Sequence, residues 1–166
     1  YPEKLEINLA LAKSYYQLEK LENAINVYQN ILLFDDENYE VMTRMGSIYN
    51  ELGKYKEAEN ILNKAINCTT PTMKMYYQLA LTYGSQGKYL STVLSFQEAL
   101  KLKSDDVEIK YQLGMTYMEL YNFNIAAQYF EEYVAQNNQD EIAFFFLGKC
   151  YYEISDYPAS LLALQR

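Results

Sequence analysis

Few side chains in this sequence could do chemistry, and their spacing limits what they can build. A thiol can act as a nucleophile, as half of a disulfide or as a metal ligand. The chain has two, Cys68 and Cys150, and no histidine. Two cysteines cannot form a disulfide framework, and without histidine they cannot complete a usual zinc site. Both are expected to serve as small buried apolar residues that remain separate thiols. The acidic pairs Asp35–Asp36, Asp105–Asp106 and Glu131–Glu132 have the residue types for paired-carboxylate acid–base work. The first two fall at turns, where helix capping accounts for them, and the third falls on a helix surface. No phosphate-cradling loop of the Gly–x–x–x–x–Gly–Lys or Gly–x–Gly–x–x–Gly type occurs. No catalytic residue, cofactor or metal site is expected, and the chain does not read as an enzyme.

Composition narrows the partners. The 166 residues include 14 basic and 22 acidic ones, a formal net charge of −8. Such a chain repels phosphate backbones, and no run of Lys or Arg exceeds two, so nucleic acid is not an expected partner. Half the residues are apolar and only three are proline, which suits a folded chain and not a disordered one. Direct membrane insertion is not expected either. The richest apolar stretch, Ala143 to Leu147, meets Gly148 and Lys149 long before the ~20 residues that span a bilayer. The chain starts at Tyr1 and stops at Arg166 inside what reads as a helix, so a piece of a longer protein is expected. The compartment stays open, leaning to the cytoplasm.

The elements that position these residues follow from a period of 34. Tyrosine recurs at Tyr15, Tyr49, Tyr83, Tyr117 and Tyr151, each 34 residues after the last. Four residues before each stands a large apolar residue (Leu11, Met45, Leu79, Leu113, Leu147), and three before stands a tiny one (Ala12, Gly46, Ala80, Gly114, Gly148). A second register repeats too: Leu21, Tyr55, Tyr89, Phe123 and Tyr157; then small Ala24, Ala58, Thr92, Ala126 and Ser160; then large Tyr28, Leu62, Phe96, Phe130 and Leu164. Apolar residues three and four apart share a helical face, so each period holds two helices. The tiny residues let neighbouring helices approach closely. Gly53 and Gly87 suit a left-handed helix end. Asn38, Thr72, Asp106 and Asp140 suit N-caps at the junctions, and Pro158 suits the first turn of the last helix.

This pattern resembles the tetratricopeptide repeat, a bulky–x–x–Leu–Gly/Ala–x–x–Tyr helix followed by Gly–x–Tyr–x–x–Ala–x–x–x–Phe. The second unit carries it most fully, in Met42, Met45, Gly46, Tyr49, Gly53, Tyr55, Ala58, Leu62 and Ala65. The expected fold is all-α, a right-handed superhelical solenoid of tandem helix–turn–helix repeats forming one domain over 1–166. Its units are 5–38, 39–72, 73–106, 107–140 and an incomplete 141–166. Some positions depart from the pattern. Asn8 and Lys110 replace bulky residues, Tyr121 stands in a turn where Gly is common, and Tyr133 replaces a small residue, which predicts looser packing between the fourth and fifth units.

The resemblance implies that first helices line a concave groove where a protein or peptide partner sits. The stripe pointing away from the core then contains Tyr77, Leu81 and Gly84 in the third unit, Tyr111, Met115 and Met118 in the fourth, and Phe145, Lys149 and Tyr152 in the fifth. In the first two units it contains Leu9, Lys13 and Tyr16, then Thr43, Ser47 and Asn50. The alternatives for the large rings in such a stripe are packing against the adjacent unit and burial by a C-terminal segment beyond Arg166. Gln78 and Gln112, one residue past the stripe, could bond the backbone of an extended guest. Some tetratricopeptide domains grip the C-terminal carboxylate of heat-shock chaperones. The matching places here hold Leu9, Lys13, Arg44, Lys74 and Gln78, of which only Lys74 agrees, so a co-chaperone is not expected. The leading expectation is a non-catalytic scaffold or adaptor that holds a partner peptide or helix. The alternatives are a self-assembly element (a homo-oligomer formed through the open C-terminal helix with Leu161, Leu162 and Leu164) and the regulatory or substrate-recruiting arm of a larger enzyme.

Overall fold

The computed structural model describes residues 2–166; Tyr1, the first residue of the expected domain, lies outside them. The described residues form ten helices and no strand: α1 (Pro2–Gln17), α2 (Leu21–Leu32), α3 (Tyr39–Glu51), α4 (Tyr55–Cys68), α5 (Met73–Ser85), α6 (Tyr89–Leu102), α7 (Val107–Glu119), α8 (Phe123–Val134), α9 (Glu141–Glu153) and α10 (Tyr157–Leu164). The expected unit starts at 39, 73, 107 and 141 coincide with the first residues of α3, α5, α7 and α9. Contacts divide the chain into two compact bodies, one ending at Gln86 and one beginning at Gly87, so the boundary falls in the turn of the third repeat.

Each first helix ends by the same device. The residues at 19, 53, 87, 121 and 155, again 34 apart, all take a left-handed backbone: Glu19 (φ 56°), Gly53 (70°), Gly87 (70°), Tyr121 (57°) and Ser155 (65°). This turns the chain so that the following N–H reaches back to the carbonyl of the recurring tyrosine. The bond runs from Lys20 to Tyr15 (2.9 Å), Lys54 to Tyr49 (2.8 Å), Asn122 to Tyr117 (2.8 Å) and Asp156 to Tyr151 (2.9 Å). Glycine adopts this conformation freely, and the other three residues are held there by the helices on either side.

The junctions between units are capped as expected in three of four places. The side chains of Asn38, Asp106 and Asp140 accept from the backbone N–H groups of Val41, Ile109 and Ala143. Asp106 is half-buried. Burial pushes its carboxyl up, but the Lys103 ammonium and the Ile109 N–H outweigh that and hold it below the usual carboxylate range. Thr72 departs from the expectation and makes no side-chain cap. Its own carbonyl takes the Met75 N–H (3.1 Å) in a tightened first turn, which removes the donor a cap would use. Asn122 and Asp156 cap α8 and α10, and Pro158 sits in the first turn of α10.

In the second, fourth and fifth units the two helices meet where a tiny residue faces a large one sixteen positions later. A Cβ added at Gly46 would lie 2.5 Å from Leu62 Cγ, one at Gly114 would lie 3.0 Å from the Phe130 ring, and one at Gly148 would lie 2.6 Å from Leu164 Cγ. Space is tightest at Gly46, where the buried Leu62 side chain occupies the place of a methyl group; at Gly114 the Phe130 ring would have to give by a few tenths of an ångström, and at Gly148 the half-exposed Leu164 side chain has room to swing aside. Leu62 and Phe130 are fully buried, each contributing roughly 1.5–3 kcal/mol. Ser160, small for the same reason, donates from its hydroxyl to the Gly148 carbonyl at 2.8 Å.

Successive units are tied by the recurring tyrosine and a polar residue twenty positions earlier. Gln29 donates to the Tyr49 hydroxyl and Gln97 to the Tyr117 hydroxyl, while the Tyr151 hydroxyl donates to Glu131. The expected looseness at Tyr133 is not found. Its ring lies 5.0 Å from that of Tyr111, and its hydroxyl donates to Asp140 at 2.9 Å. Burial, together with that bond to a carboxylate, pushes the phenol up to about 12. The large residue is accommodated because it joins an aromatic cluster and shares a polar anchor with the cap of α9. Leu11 also departs from its register: it is 42% exposed, whereas Met45, Leu79, Leu113 and Leu147 are buried. No described helix packs on that side of α1, so the face that Leu11 carries stays open.

Two substitutions test these constraints. Gly46→Val is expected to lower stability by about 2–3 kcal/mol, because the added methyls collide with a buried Leu62. A urea-unfolding midpoint by circular dichroism equal to that of the parent protein would refute the close approach. Tyr121→Gly is expected to raise stability by about 0.5–1 kcal/mol, the left-handed strain exceeding the extra chain entropy of glycine. A lowered melting temperature would show that Tyr121 is held by something other than strain.

Candidate functional site

Residues expected to face a partner lie in both bodies. In the first, α5 carries Tyr77, Gln78 and Leu81, all half-buried. The Gln78 carbonyl belongs to a polar knot between α3 and α5: the Asn50 amide donates to it at 3.3 Å, and the Thr82 hydroxyl lies 2.8 Å from it and 2.9 Å from Asn50 Oδ1. Thr82 is buried, so this knot fixes how one first helix leans on the next.

In the second body the stripe divides. Tyr111 is half-buried and packs within the core, its ring 5.6 Å from Phe130 and 6.4 Å from Phe146. Burial raises its phenol above the ordinary value. Met115 and Met118 are half-buried against the same cluster. The Gln112 amide donates to Glu108 on its own helix at 2.9 Å. On α9 the residues stand clear: Phe145 is 54% exposed, Tyr152 is 61% exposed and Lys149 is exposed. Ile142, one turn before Phe145, is exposed on the same face, and the sequence reading did not single it out. The equivalent positions of the second, third and fourth units are covered, whereas in the first unit Lys13 and Tyr16 are exposed. Thr43, expected to face outward, is buried and donates its hydroxyl to the Tyr39 carbonyl at 2.7 Å. The reason is that α5 packs on α3, whereas among the described residues no further first helix follows α9.

A second feature appears in the first body alone. Lys13 and Tyr16 from α1, Tyr28 from α2, Arg44 and Ser47 from α3, and Lys74 from α5 line a cleft of about 210 Å³. Arg44 pairs with Glu40 at 2.7 Å, which holds the guanidinium in its charged form, and Tyr28 adds a further contact. The Tyr28 phenol is raised, chiefly by burial. Tyr16 donates its hydroxyl to Glu51 at 2.7 Å. The signal for this cleft is present in the sequence. Lys13, Arg44 and Lys74 follow each other at 31 and 30 residues, each slightly short of the 34-residue period, so the charge moves about one helical turn per unit.

The groups first considered for chemistry sit apart from these surfaces. Cys150 is buried and Cys68 half-buried, and both are free thiols; the expectation of burial therefore holds fully only for Cys150. Among the described residues no group of three or more His, Cys, Asp or Glu could hold a metal ion, and no helix is long and apolar enough to cross a membrane.

Tandem helical hairpins on a 34-residue period, closed in the second, fourth and fifth units by a small-on-large contact, define a helical-repeat protein. Profiles of the tetratricopeptide repeat match residues 15–79, 74–106 and 111–166. The chain belongs to the tetratricopeptide repeat family. Solved structures of similar fold include MamA (TM-score 0.88, 19% identity, 93% of this chain and 90% of that one) and MamA from Desulfovibrio magneticus RS-1 (TM-score 0.89, 13% identity, 96% and 90%). YrrB, described as a tetratricopeptide protein with an unusual peptide-binding site, is matched at TM-score 0.84 with 22% identity over 95% of this chain and 81% of that one. No curated protein matches the sequence.

The thiols give a direct check on packing. Burial pushes the Cys150 thiol up to about 11, so at pH 8 it stays protonated as well as shielded. Ellman's reagent is expected to label one thiol per native chain, at Cys68, and two in denaturant. Rapid native labelling of Cys150 would show that the second core is open.

Proposed function

We propose that this chain is a non-catalytic scaffold or adaptor that holds a partner peptide or helix against the outward faces of its first helices. The observation that carries this reading is the α9 face, where Ile142, Phe145 and Tyr152 leave large apolar surfaces in solvent beside the cation Lys149. Exposed apolar patches rimmed by polar groups mark protein contacts, and Tyr and Phe are enriched there. Residues three, seven and ten apart suit an amphipathic helix or the side chains of a bound segment. Membership of a repeat family built to present such faces supports the same reading, as does the likeness to YrrB with its peptide-binding site. In the second body the half-buried Tyr111, Met115 and Met118 support this face, with Gln112 beside them; in the first body Tyr77, Gln78 and Leu81 are a candidate surface of their own. Tyr111 is better regarded as a support for Phe146 than as an anchor, given its place among the core rings.

A second reading rests on α10, where Leu161 and Leu162 are mostly exposed. Such a face suits another copy of the chain. Light scattering over a range of protein concentrations separates the two readings: a mass that rises with concentration and falls back in Leu162→Glu supports self-association, and a constant monomer mass rejects it.

The leading reading predicts that Phe145→Ala/Tyr152→Ala loses its bound partners while its helical circular dichroism is kept, because both side chains are largely exposed. A pull-down with parent and variant protein side by side, quantified by mass spectrometry, reads the difference. The anchors are expected to account for at least a tenfold loss, about 1.4 kcal/mol. Equal capture by the two proteins would reject the α9 face.

A further inference from the structure

We propose that a groove between the second helices α2 and α4 pairs with the same groove of a second copy of the chain, about a two-fold axis near Ile61. The groove lies in the first body and holds about 520 Å³ over an apolar floor of Leu32, Met45 and Ile61. It is distinct from the α9 face and from α10, and it belongs to the second helices, not to the outward stripe of the first. Apolar surface left open in this way marks a contact between proteins.

The groove is complementary to itself, which selects a second copy as its occupant. A two-fold interface must carry both halves of every contact on one patch. The apolar contact meets this condition, since Leu33 stands on the rim, 78% exposed, beside the hollow that the Leu33 of a second copy would fill. The charges meet it too. Glu57 and Lys64 flank Ile61 on α4, and neither takes part in an ion pair among the described residues. Seven residues of helix separate them by about 10 Å. When α4 lies antiparallel to its copy, Glu57 of each chain faces Lys64 of the other, and all four charges are met at once. Parallel pairing would set like charges together, so the charges also fix the orientation. The repeat itself does not call for these residues. The third unit has Ser91 and Glu98 in the places of Glu57 and Lys64, and the second has Asn67 in the place of Leu33.

The test is sedimentation equilibrium of the whole chain near neutral pH over a range of concentrations, on the parent, Glu57→Lys, Lys64→Glu and the double swap Glu57→Lys/Lys64→Glu. Both positions are exposed, so every variant is expected to keep the helical circular dichroism of the parent. The parent is expected to form a dimer whose fraction rises with concentration. Each single substitution sets like charges together on both sides of the axis and is expected to weaken the dimer at least about fivefold. The double swap restores opposite charges across the axis and is expected to return to within about twofold of the parent. Leu33→Glu, which carries a charge into the hollow of the second copy, is expected to leave only monomer. A parent that stays monomeric throughout, single variants that dimerise like the parent, or a double swap no better than the singles overturns the proposal. So does a dimer lost in Leu162→Glu or in Phe145→Ala/Tyr152→Ala but kept in Glu57→Lys, since α10 or the α9 face would then hold the copies together.

Discussion

The structure depends on one steric constraint, the seating of a large side chain of the second helix in the space left by a missing one on the first. Leu62 over Gly46, Phe130 over Gly114 and Leu164 over Gly148 bring paired helices so close that an added methyl group would force the facing side chain to move. Close approach packs the interior at the density that folded proteins require. It also fixes where along the two helices they cross, and therefore which residues of the first helix remain on the outside. The left-handed residue at the end of each first helix serves the same geometry, since it aims the chain back along the contact.

From that contact the rest of each body follows. A hairpin buries only part of its apolar surface and needs a neighbour. The recurring tyrosine does two jobs at the join: its carbonyl receives the returning N–H of its own unit, and in three places its hydroxyl meets a polar residue of the preceding unit. Between α3 and α5 the Asn50–Thr82 knot replaces apolar contact with satisfied polar contact. At the α8–α9 join Tyr133 takes a place that is small in the second and third units. It is accommodated because its ring packs on Tyr111, which in turn meets Phe130 and Phe146, and because Asp140 accepts its hydroxyl.

Function is carried by what this packing leaves over. The first helices expose two kinds of surface, an aromatic and aliphatic face on α9 and a cationic cleft framed by α1, α3 and α5. The same repeat position thus serves different ends, buried at Thr43, supporting the core at Tyr111 and open at Phe145. A repeat fold holds the backbone constant, so side chains at equivalent places can diverge without disturbing the hairpin. This is how such folds host unrelated binding tasks.

The sequence by itself determined the helices, their ends and their pairing, because these are set by residues sixteen to thirty-four apart that recur in fixed register. Gly53 and Gly87 announced the left-handed turns, and Asn38, Asp106 and Asp140 announced the caps. Glu19, Tyr121 and Ser155 share the turn geometry without the residue type that signals it, since tertiary packing holds them in a conformation they disfavour. Only the tertiary structure decided how far each stripe residue is covered, that Thr72 yields its capping donor to a backbone carbonyl, and that Lys13, Arg44 and Lys74 meet. Those outcomes depend on which helix lies alongside, and a repeat pattern, being the same in every unit, cannot record the difference between one neighbour and another.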